Sequence, residues 1–281
     1  SLQVVVNSEM DNYDDIVKAG TGASFRVTGN LVESPAKGQA WELQATQVDV
    51  LGNSESSYPL QKKRHTFEYL RSIAHLRPRS NAFGAVFRIR NAAAYAIHKF
   101  HQERGFMWVH TPIITASDCE GAGEMFRVTT LDLEKLPRTD EGTVDFSEDF
   151  FGKQTGLTVS GQLEGETFAI AFGYIYTFGP SFRAENSNTP RHIAEFWMVE
   201  PEIAFADLED NVSLARDFMK YVTSFVLENC RSDLEFLNQW IEKGLIARLE
   251  NVVNSPFEVL TYTEAIEKLI QSGQSFELRA K

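Results

Sequence analysis

The feature that most constrains the fold is a pair of apolar runs carrying charged residues between positions 177 and 202. The runs flank the polar loop NSNTPRH, whose proline is typical of a turn, so the sequence predicts two strands joined in a hairpin. Side chains two residues apart on a strand share a face, which places Arg183 with Glu185 and Glu200 with Glu202. Because unpaired buried charges are costly, the hairpin either binds a ligand or forms a surface network of ion pairs.

The composition is ordinary for a globular protein. Of the 281 residues, 43% are hydrophobic and 12% aromatic, which is enough to build a sizeable core and to exclude a disordered chain. No apolar run reaches the ~20 residues that a membrane helix needs, and the first residues lack the features of a signal peptide. Cys119 and Cys230 are the only cysteines, so we predict neither a disulfide framework nor a zinc site. We therefore expect a cytoplasmic protein with no membrane partner.

Positive charge is concentrated in one part of the chain. The net charge of −12 argues against a protein that coats nucleic acid nonspecifically. Residues 61–90 nevertheless contain one acid, Glu68, and a basic strip made of Lys62, Lys63, Arg64, Arg71, Arg77, Arg79, Arg88 and Arg90. Such a strip can bind a phosphate backbone, or it can be the solvated surface of a linker and a helix. Composition leaves both interpretations open.

The chain is predicted to have three parts. Residues 1–52 contain short alternating β-branched runs separated by glycine and proline, which is typical of a small β-barrel. A five-stranded barrel needs more strands than this segment holds, so we predict a partial barrel. Residues 53–81 are polar and basic, which indicates a linker, and residues 82–281 are predicted to form a mixed α+β domain.

This domain is predicted to begin with a long amphipathic helix. Apolar residues from Phe83 to Phe100 recur at three- and four-residue steps, and Gly105 stands where the helix should end. An apolar strand broken by Pro112 follows. A buried strand is predicted at residues 196–206, and helical periodicity returns from 211 to 249.

Three segments and one helix–strand unit resemble a known family. FRAENSNTPRHIAEFWMVEPE (182–202) resembles the second signature motif of class II aminoacyl-tRNA synthetases, in the aspartyl, asparaginyl and lysyl subgroup. ITASDCEGAGEMF (114–126) and TVSGQLEGE (158–166) resemble the asparaginyl branch, and residues 83–112 resemble the first motif, which builds the dimer interface. The resemblance implies an α+β fold with an antiparallel class II synthetase sheet flanked by helices. It also implies that the partial barrel is an OB-type anticodon-binding domain.

The second motif implies an ATP site. By resemblance, Arg183 is the catalytic residue and contacts the α-phosphate of ATP and a carboxylate oxygen of the amino acid. A permanently charged planar fork suits both groups and would stabilise the charge that develops at phosphorus. Glu185 matches the acceptor for the adenine amino group, Phe196 the aromatic on which adenine stacks, and His192 a residue near the phosphates. Without the motif, Phe196 would be interpreted as core.

Four residues match the amino-acid site of the subgroup. Glu120 lies in a loop with two glycines, which permit the loop to open and close, and it matches the partner of the α-ammonium group. Ser160 and Gln162 match residues that hold the backbone end of the amino acid. Glu200 is assigned to the same site. Without the resemblance, the glycine-containing loop would be interpreted as a turn.

One position bears on which amino acid is selected. The aspartyl relatives have a lysine two residues after the SxQL tetrapeptide, and here that position is Gly165, followed by Glu166. A glutamate near the pocket repels aspartate and accepts hydrogen bonds from an amide NH2 group, which is a strong basis for discrimination. The substitution therefore favours asparagine as the substrate. Glu166 is the first candidate for the residue that reads the amide, with Glu164 or residues outside this span as alternatives.

The C-terminal residues depart from the family pattern. Nothing in residues 203–281 matches the third class II motif, or the acidic residues that hold Mg²⁺ in the family. We therefore expect a truncated part of an asparagine–tRNA ligase, inactive alone and without a metal site in this span. The implied cofactors are ATP and Mg²⁺, and the implied partners are asparagine, tRNA(Asn) and a second copy bound through residues 83–112.

Two other interpretations stay open. The chain could belong to another enzyme of the same fold, an aspartyl-tRNA synthetase or a tRNA-independent asparagine-forming ligase. Gly165 argues against the first, and the partial barrel with its basic linker argues against the second. A noncatalytic paralogue that serves in dimerisation or RNA binding would explain the missing third motif, but it would not need Glu120, Gln162, Arg183 and Glu185.

Overall fold

The computed structural model describes residues 2–36, 38–119, 121, 124–187, 189 and 192–274. The chain divides into two units, Ser1–Phe87 and Arg88–Lys281. Within the described residues, no helix is both long enough and apolar enough to cross a membrane.

The first unit is built around one small sheet. Its strands are β1 (Gln3–Val5), β2 (Ser24–Glu33) and β3 (Trp41–Gly52), in the order β1–β3–β2. β1 is parallel to β3, and β2 is antiparallel to it with a register shift at Gly29. A Cβ at Gly29 would lie 2.2 Å from the carbonyl oxygen of Gln44, so the close approach of the two strands requires glycine there. Helix α1 (Tyr13–Lys18) lies between β1 and β2 in the chain.

The basic residues that follow are partly engaged within the first unit. Residues 53–81 contain helix α2 (Phe67–Ser72) and a 3₁₀ turn at Arg77–Arg79. The guanidinium of Arg77 lies 5.3 Å from the ring centroid of Phe83, and Arg79 donates a 3.0 Å hydrogen bond to the hydroxyl of Tyr58. These two cations of the strip therefore also contribute to packing.

The second unit contains the predicted hairpin. Strands β8 (Tyr174–Phe182) and β9 (Glu195–Ile203) pair antiparallel over their whole length, and this confirms the two strands and their polar connection. β4 (Met107–Trp108) pairs with β8 in parallel. The predicted antiparallel pairing is therefore present between β8 and β9, while β4 makes the sheet mixed.

A second sheet lies in the same unit. β5 (Ile114–Thr115), β6 (Arg127–Val128) and β7 (Thr155–Leu157) pair antiparallel in the order β5–β7–β6. The apolar run from 106 to 115 was expected to be one strand broken by Pro112. It is two short strands in different sheets, β4 and β5, because proline cannot donate to a ladder and the chain changes partner there.

An acidic side chain fixes the loop between β6 and β7. The buried carboxylate of Asp149 accepts hydrogen bonds from the hydroxyls of Thr129 (2.6 Å) and Thr130 (2.7 Å) and from the backbone N–H of Thr130 (2.9 Å) and Phe150 (2.7 Å). These donors, the Thr129 hydroxyl first, hold the pKa of Asp149 well below its usual range. At neutral pH the ionised carboxylate of Asp149 therefore holds this loop together through its hydrogen bonds.

Helix α3 (Asn81–Glu103) confirms the predicted long helix, and Gly105 follows it with a φ of 81°. The helical periodicity predicted from 211 to 249 is confirmed and corresponds to three helices. The helices that end the second unit are α5 (Leu208–Asn229), α6 (Arg231–Trp240), α7 (Leu245–Asn254) and α8 (Tyr262–Gln271). Val226, Cys230 and Leu234 form a buried cluster with residues of α3 and α7, and Arg88 is bound by both oxygens of Asp233 at 2.9 and 2.6 Å.

An aromatic core joins α3 to β8. The ring of His101 stacks on Tyr176 at 4.4 Å, and both residues are buried. The Tyr176 hydroxyl lies 2.7 Å from Nδ1 of His98. Burial lowers the pKa of His101, whose Nδ1 donates to the carbonyl of Ile97 at 2.8 Å. The face of β8 opposite the charged residues is thus packed against α3.

We expect Phe100→Ala to reduce the free energy of unfolding by about 3–5 kcal/mol, the range for removing a fully buried phenylalanine. Phe100 is 0% exposed and contacts Phe218 at 5.3 Å and the guanidinium of Arg104 at 3.8 Å between centres. Urea unfolding followed by circular dichroism measures the change. Phe150→Ala is the matched control, because Phe150 is 76% exposed and should cost under about 1 kcal/mol. Equal losses for the two variants would contradict this description of the core.

Candidate active site

The charged face of the hairpin has a defined register. Thr177 is paired with Glu200, and Ser181 with Phe196, so these four side chains project from the same face of the sheet. Arg183 follows β8 in the same alternation, and its backbone N–H donates to the carbonyl of Ala194 at 3.0 Å. The backbone thus continues the ladder to Arg183, and the predicted phosphate-binding arginine lies at the end of this face.

The side chain of Arg183 lies beside the predicted adenine platform. Its guanidinium carbon is 5.9 Å from the centroid of the Phe196 ring, and Nη2 is 3.5 Å from the carbonyl oxygen of Val159. Both Arg183 and Phe196 are half-buried. A guanidinium held against an aromatic ring and a carbonyl keeps its direction, which suits a group that contacts an anionic ligand.

One carboxylate oxygen of Glu185 has no hydrogen-bond donor among the described residues. Its Oε2 is buried and accepts no hydrogen bond from any described residue, and Nε2 of His192 lies 3.9 Å from it. The backbone N–H of Glu185 itself, and then that of Glu124, lower the pKa of the carboxyl group, with a smaller contribution from Arg183. A buried ionised oxygen without a donor fits a ligand that brings an N–H group.

Glu200 is held by three donors from two parts of the chain. Its carboxylate accepts from the hydroxyl of Ser160, from the backbone N–H of Gly161 at 3.3 Å and from the hydroxyl of Thr177 at 2.8 Å. A Cβ at Gly161 would lie 2.7 Å from Oγ1 of Thr111 and 3.2 Å from Oγ1 of Thr177, so the loop reaches Glu200 only with glycine at this position. The carboxylate is therefore fixed in orientation on the face that also carries Arg183.

Helix α4 (Gln162–Phe172) begins directly after Ser160 and Gly161, two of the donors to Glu200. The backbone N–H of Gln162 donates to the Ser160 hydroxyl at 3.1 Å, and the Gln162 amide donates to Oε1 of Glu166 at 3.0 Å. Burial raises the pKa of Glu202, and the nearby charges of Glu166 and Glu200 raise it further. Acidic side chains from α4 and β9 therefore share one negative region.

Most of the predicted site residues are brought together. Arg183, Glu185, His192 and Phe196 cluster at the end of the hairpin, and Ser160, Gln162, Glu166 and Glu200 surround the start of α4. Glu120 lies outside the described residues, although Gly121 beside it has a φ of 62°. Among the described residues, no group of three or more His, Cys, Asp or Glu side chains is arranged to hold a metal ion.

Two functional contributors were missed from the sequence, Thr177 and Gly161. The alternation of β8 places Thr177 on the same face as Arg183, so its position could have been predicted. The role of Gly161 could not, because it depends on the distance to Thr111, fifty residues earlier in the chain.

Comparison with known proteins gives a consistent result. The family model described as "tRNA synthetases class II (D, K and N)" matches residues 67–280. The asparagine–tRNA ligases of Clostridium tetani and Geobacter sulfurreducens are 59% and 62% identical to this chain, each over 277 residues. These alignments cover 99% of the chain and 60% of each relative, so the chain spans about three fifths of their length.

Solved structures show the same fold. The asparaginyl-tRNA synthetase of Pyrococcus horikoshii, complexed with asparaginyl-adenylate, superposes with a TM-score of 0.81 at 24% identity and covers 100% of this chain and 59% of its own. The aspartyl-tRNA synthetase of Entamoeba histolytica gives a TM-score of 0.70 at 19% identity, over 100% of this chain and 56% of its own.

The family assignment follows from two findings. The family model spans most of the chain, and relatives at about three fifths identity align with almost all of it. The chain therefore belongs to the class II tRNA synthetases of the D, K and N group.

Proposed function

We propose that this chain is part of an enzyme that activates asparagine with ATP and transfers it to tRNA(Asn). The observation that carries the proposal is the hairpin face, where Arg183, Phe196 and the unused acceptor of Glu185 lie at one end and the fixed carboxylate of Glu200 lies further along. An elongated ligand with an adenine, a phosphate and an amino acid matches this order of groups. The asparagine–tRNA ligases among the relatives support the choice of amino acid.

Arg183 has the central role in activation. The bond that forms joins a carboxylate oxygen of asparagine to the α-phosphorus of ATP, and the bond that breaks releases pyrophosphate. Charge increases on the phosphoryl oxygens as this happens, and a guanidinium within reach of both reactants stabilises it. Glu185 and Phe196 would hold the adenine by a hydrogen bond and by stacking. The family resemblance assigns His192, 3.9 Å from Glu185, to the phosphates. Mg²⁺ would be held by acidic residues outside this span.

The negative region near α4 provides the selection against aspartate. Ser160 and Gln162 would hold the backbone end of the amino acid, with Glu120 at its ammonium group. Glu166 uses Oε1 to bind Gln162, which leaves Oε2 to accept from an amide nitrogen. A substrate carboxylate placed beside Glu166 and Glu200 would be repelled, whereas an amide would not.

The remaining assignments concern domains and partners. We assign residues 1–52 to a partial OB-type anticodon-binding domain, 53–81 to a linker and 82–281 to the catalytic domain of a cytoplasmic enzyme. Exposed apolar side chains within residues 83–112, such as Tyr95 (60% exposed) and Trp108 (46%), support a homodimer contact there. The exposed cations at 62–64 support a contact with the phosphates of tRNA.

In the full-length enzyme, we expect Arg183→Ala to lower asparagine activation by at least ~10²-fold, the scale for one lost donor to a transition state. ATP–pyrophosphate exchange with asparagine measures this step. Arg216→Ala is the matched control, because Arg216 is an exposed arginine on α5 bound to Asp217 and should leave exchange unchanged. Near-normal exchange by Arg183→Ala would overturn the assignment of the motif.

We expect Glu166→Gln to narrow the preference for asparagine over aspartate. The repelling charge is lost, and asparagine activation itself should fall ~10–100-fold because a charge-assisted hydrogen bond is worth about 1.5–3 kcal/mol. Exchange measured with each amino acid gives the ratio. Glu164→Gln is the control, since Glu164 lies on the same helix and its side chain binds no described residue. An unchanged ratio in Glu166→Gln would assign the reading of the amide to another residue.

A further inference from the structure

Thr177 is a buried threonine of β8 whose hydroxyl group faces a carboxylate of the proposed amino-acid site. The residue is 3% exposed, and its hydroxyl donates a 2.8 Å hydrogen bond to Oε2 of Glu200. Glu200, directly opposite on β9, is only half-buried. A ligand can therefore reach the carboxylate of Glu200, whereas the hydroxyl group that holds this carboxylate is covered by protein.

The direction of the Thr177 hydroxyl is fixed by the contact that its methyl group makes. A Cβ at Gly165 of α4 would lie 3.5 Å from Cγ2 of Thr177, which is an ordinary van der Waals distance, so the methyl group lies against this helix. A β-branched side chain has few allowed χ1 rotamers. With the methyl group against α4, the hydroxyl points to Glu200.

The two carboxylate oxygens of Glu200 are engaged unequally. Oε2 accepts from the hydroxyl of Thr177 and from the backbone N–H of Gly161 at 3.3 Å, whereas Oε1 accepts from the hydroxyl of Ser160. A carboxylate has about four acceptor sites, two on each oxygen. Among the donors that the structure describes, Oε2 therefore has both sites filled, and Oε1 has one site left for an N–H group of a ligand.

A small cavity lies beside these groups. It has a volume of about 20 Å³, and its lining includes Thr111, Gly161, Thr177, Ser181 and Glu200. A water molecule needs a cavity of about 10–15 Å³ and two to four polar partners. The cavity is therefore large enough and polar enough for one water molecule, next to the hydroxyl group that holds Glu200.

We propose that Thr177 is a positioning residue for asparagine, which acts through Glu200. Its hydroxyl keeps Oε2 engaged, so that the free acceptor site of Oε1 stays directed at the bound amino acid. The inference rests on the proposed function, in which Glu200 belongs to the amino-acid site. Arg183 and Phe196, assigned to ATP, lie further along the same face. Loss of the hydroxyl should therefore weaken the use of asparagine and leave the use of ATP unchanged.

In the full-length enzyme, Thr177→Val should raise the KM for asparagine about 10-fold, the scale for one lost hydrogen bond to a charged group. A methyl group cannot donate, and it cannot lie 2.8 Å from a carboxylate oxygen, so Glu200 has to turn. The KM for ATP and kcat should stay within about threefold of the parent enzyme. ATP–pyrophosphate exchange with each substrate varied in turn measures these constants.

Two further variants separate positioning from packing. Thr177→Ala enlarges the cavity, so a water molecule can donate to Oε2 in place of the hydroxyl, and the KM for asparagine should rise less than in Thr177→Val. A residue that only packed against α4 would give the reverse order, because valine keeps the methyl group and alanine leaves a gap. Thr177→Ser keeps the hydroxyl and should restore the KM for asparagine to within about threefold of the parent value.

A double-mutant cycle tests whether the effect passes through Glu200. In a Glu200→Gln background, Thr177→Val should raise the KM for asparagine by a smaller factor than in the parent enzyme, because a hydrogen bond to a neutral amide is weaker than one to a carboxylate. Equal factors in the two backgrounds would show that Thr177 acts independently of Glu200 and would overturn the inference.

Thr155→Val is the matched control. Thr155 is also buried, at 6% exposed, and it also loses one hydroxyl hydrogen bond, of 2.9 Å to the carbonyl of Val128. It should leave the KM for asparagine unchanged. An unchanged KM in Thr177→Val, a larger rise in Thr177→Ala, or equal rises for asparagine and ATP would each contradict the positioning role. A parent enzyme that does not activate asparagine with ATP would instead reject the proposed function, so the two failures are distinguishable.

Discussion

The carboxylate of Glu200 receives hydrogen bonds from two hydroxyls and one backbone N–H, and the donors come from the segment before α4 and from β8. A carboxylate with three donors has little freedom to turn, and its partners are fixed with it. Ser160 and Gly161 immediately precede α4, so the same contacts set where Gln162 and Glu166 begin their helix. The position of the acidic groups relative to Arg183 therefore depends on two things. One is the set of hydrogen bonds around the Glu200 carboxylate, and the other is the register of the β8–β9 hairpin.

Local periodicity predicted the elements that depend on neighbouring residues. The alternation in residues 177–202 predicted both strands, and the spacing from Phe83 to Phe100 predicted α3. The shared face of Arg183 and Glu200 was not predicted, because it depends on the register that pairs Thr177 with Glu200. The run around Met107 was wrong as a single strand, because the pattern shows that a segment is apolar but not which sheet each half joins. The division of the last helices likewise depends on tertiary packing at Cys230.

Contacts between residues far apart in the sequence could not be predicted from local periodicity. Ser160 binds Glu200 across forty residues, and no spacing rule links them. Phe196 illustrates a different limit: its side of the strand was predictable, yet a half-buried aromatic has the same pattern whether it packs in a core or stacks on a base. Only the resemblance of the whole motif favours stacking on a base, which stays a prediction.

The close contact at Gly161 also restricts how this sequence can diverge. An alanine there would place its methyl group 2.7 Å from the hydroxyl oxygen of Thr111 and 3.2 Å from that of Thr177. The contact with Thr111 is the tighter one, so a smaller residue at position 111 relieves most of the clash. A smaller residue at 111, in turn, leaves a gap until position 161 is filled. Each step passes through a less stable intermediate, and the two positions are expected to evolve together and in a particular order. Substitutions at positions 111 and 161 would then be correlated among related sequences rather than independent.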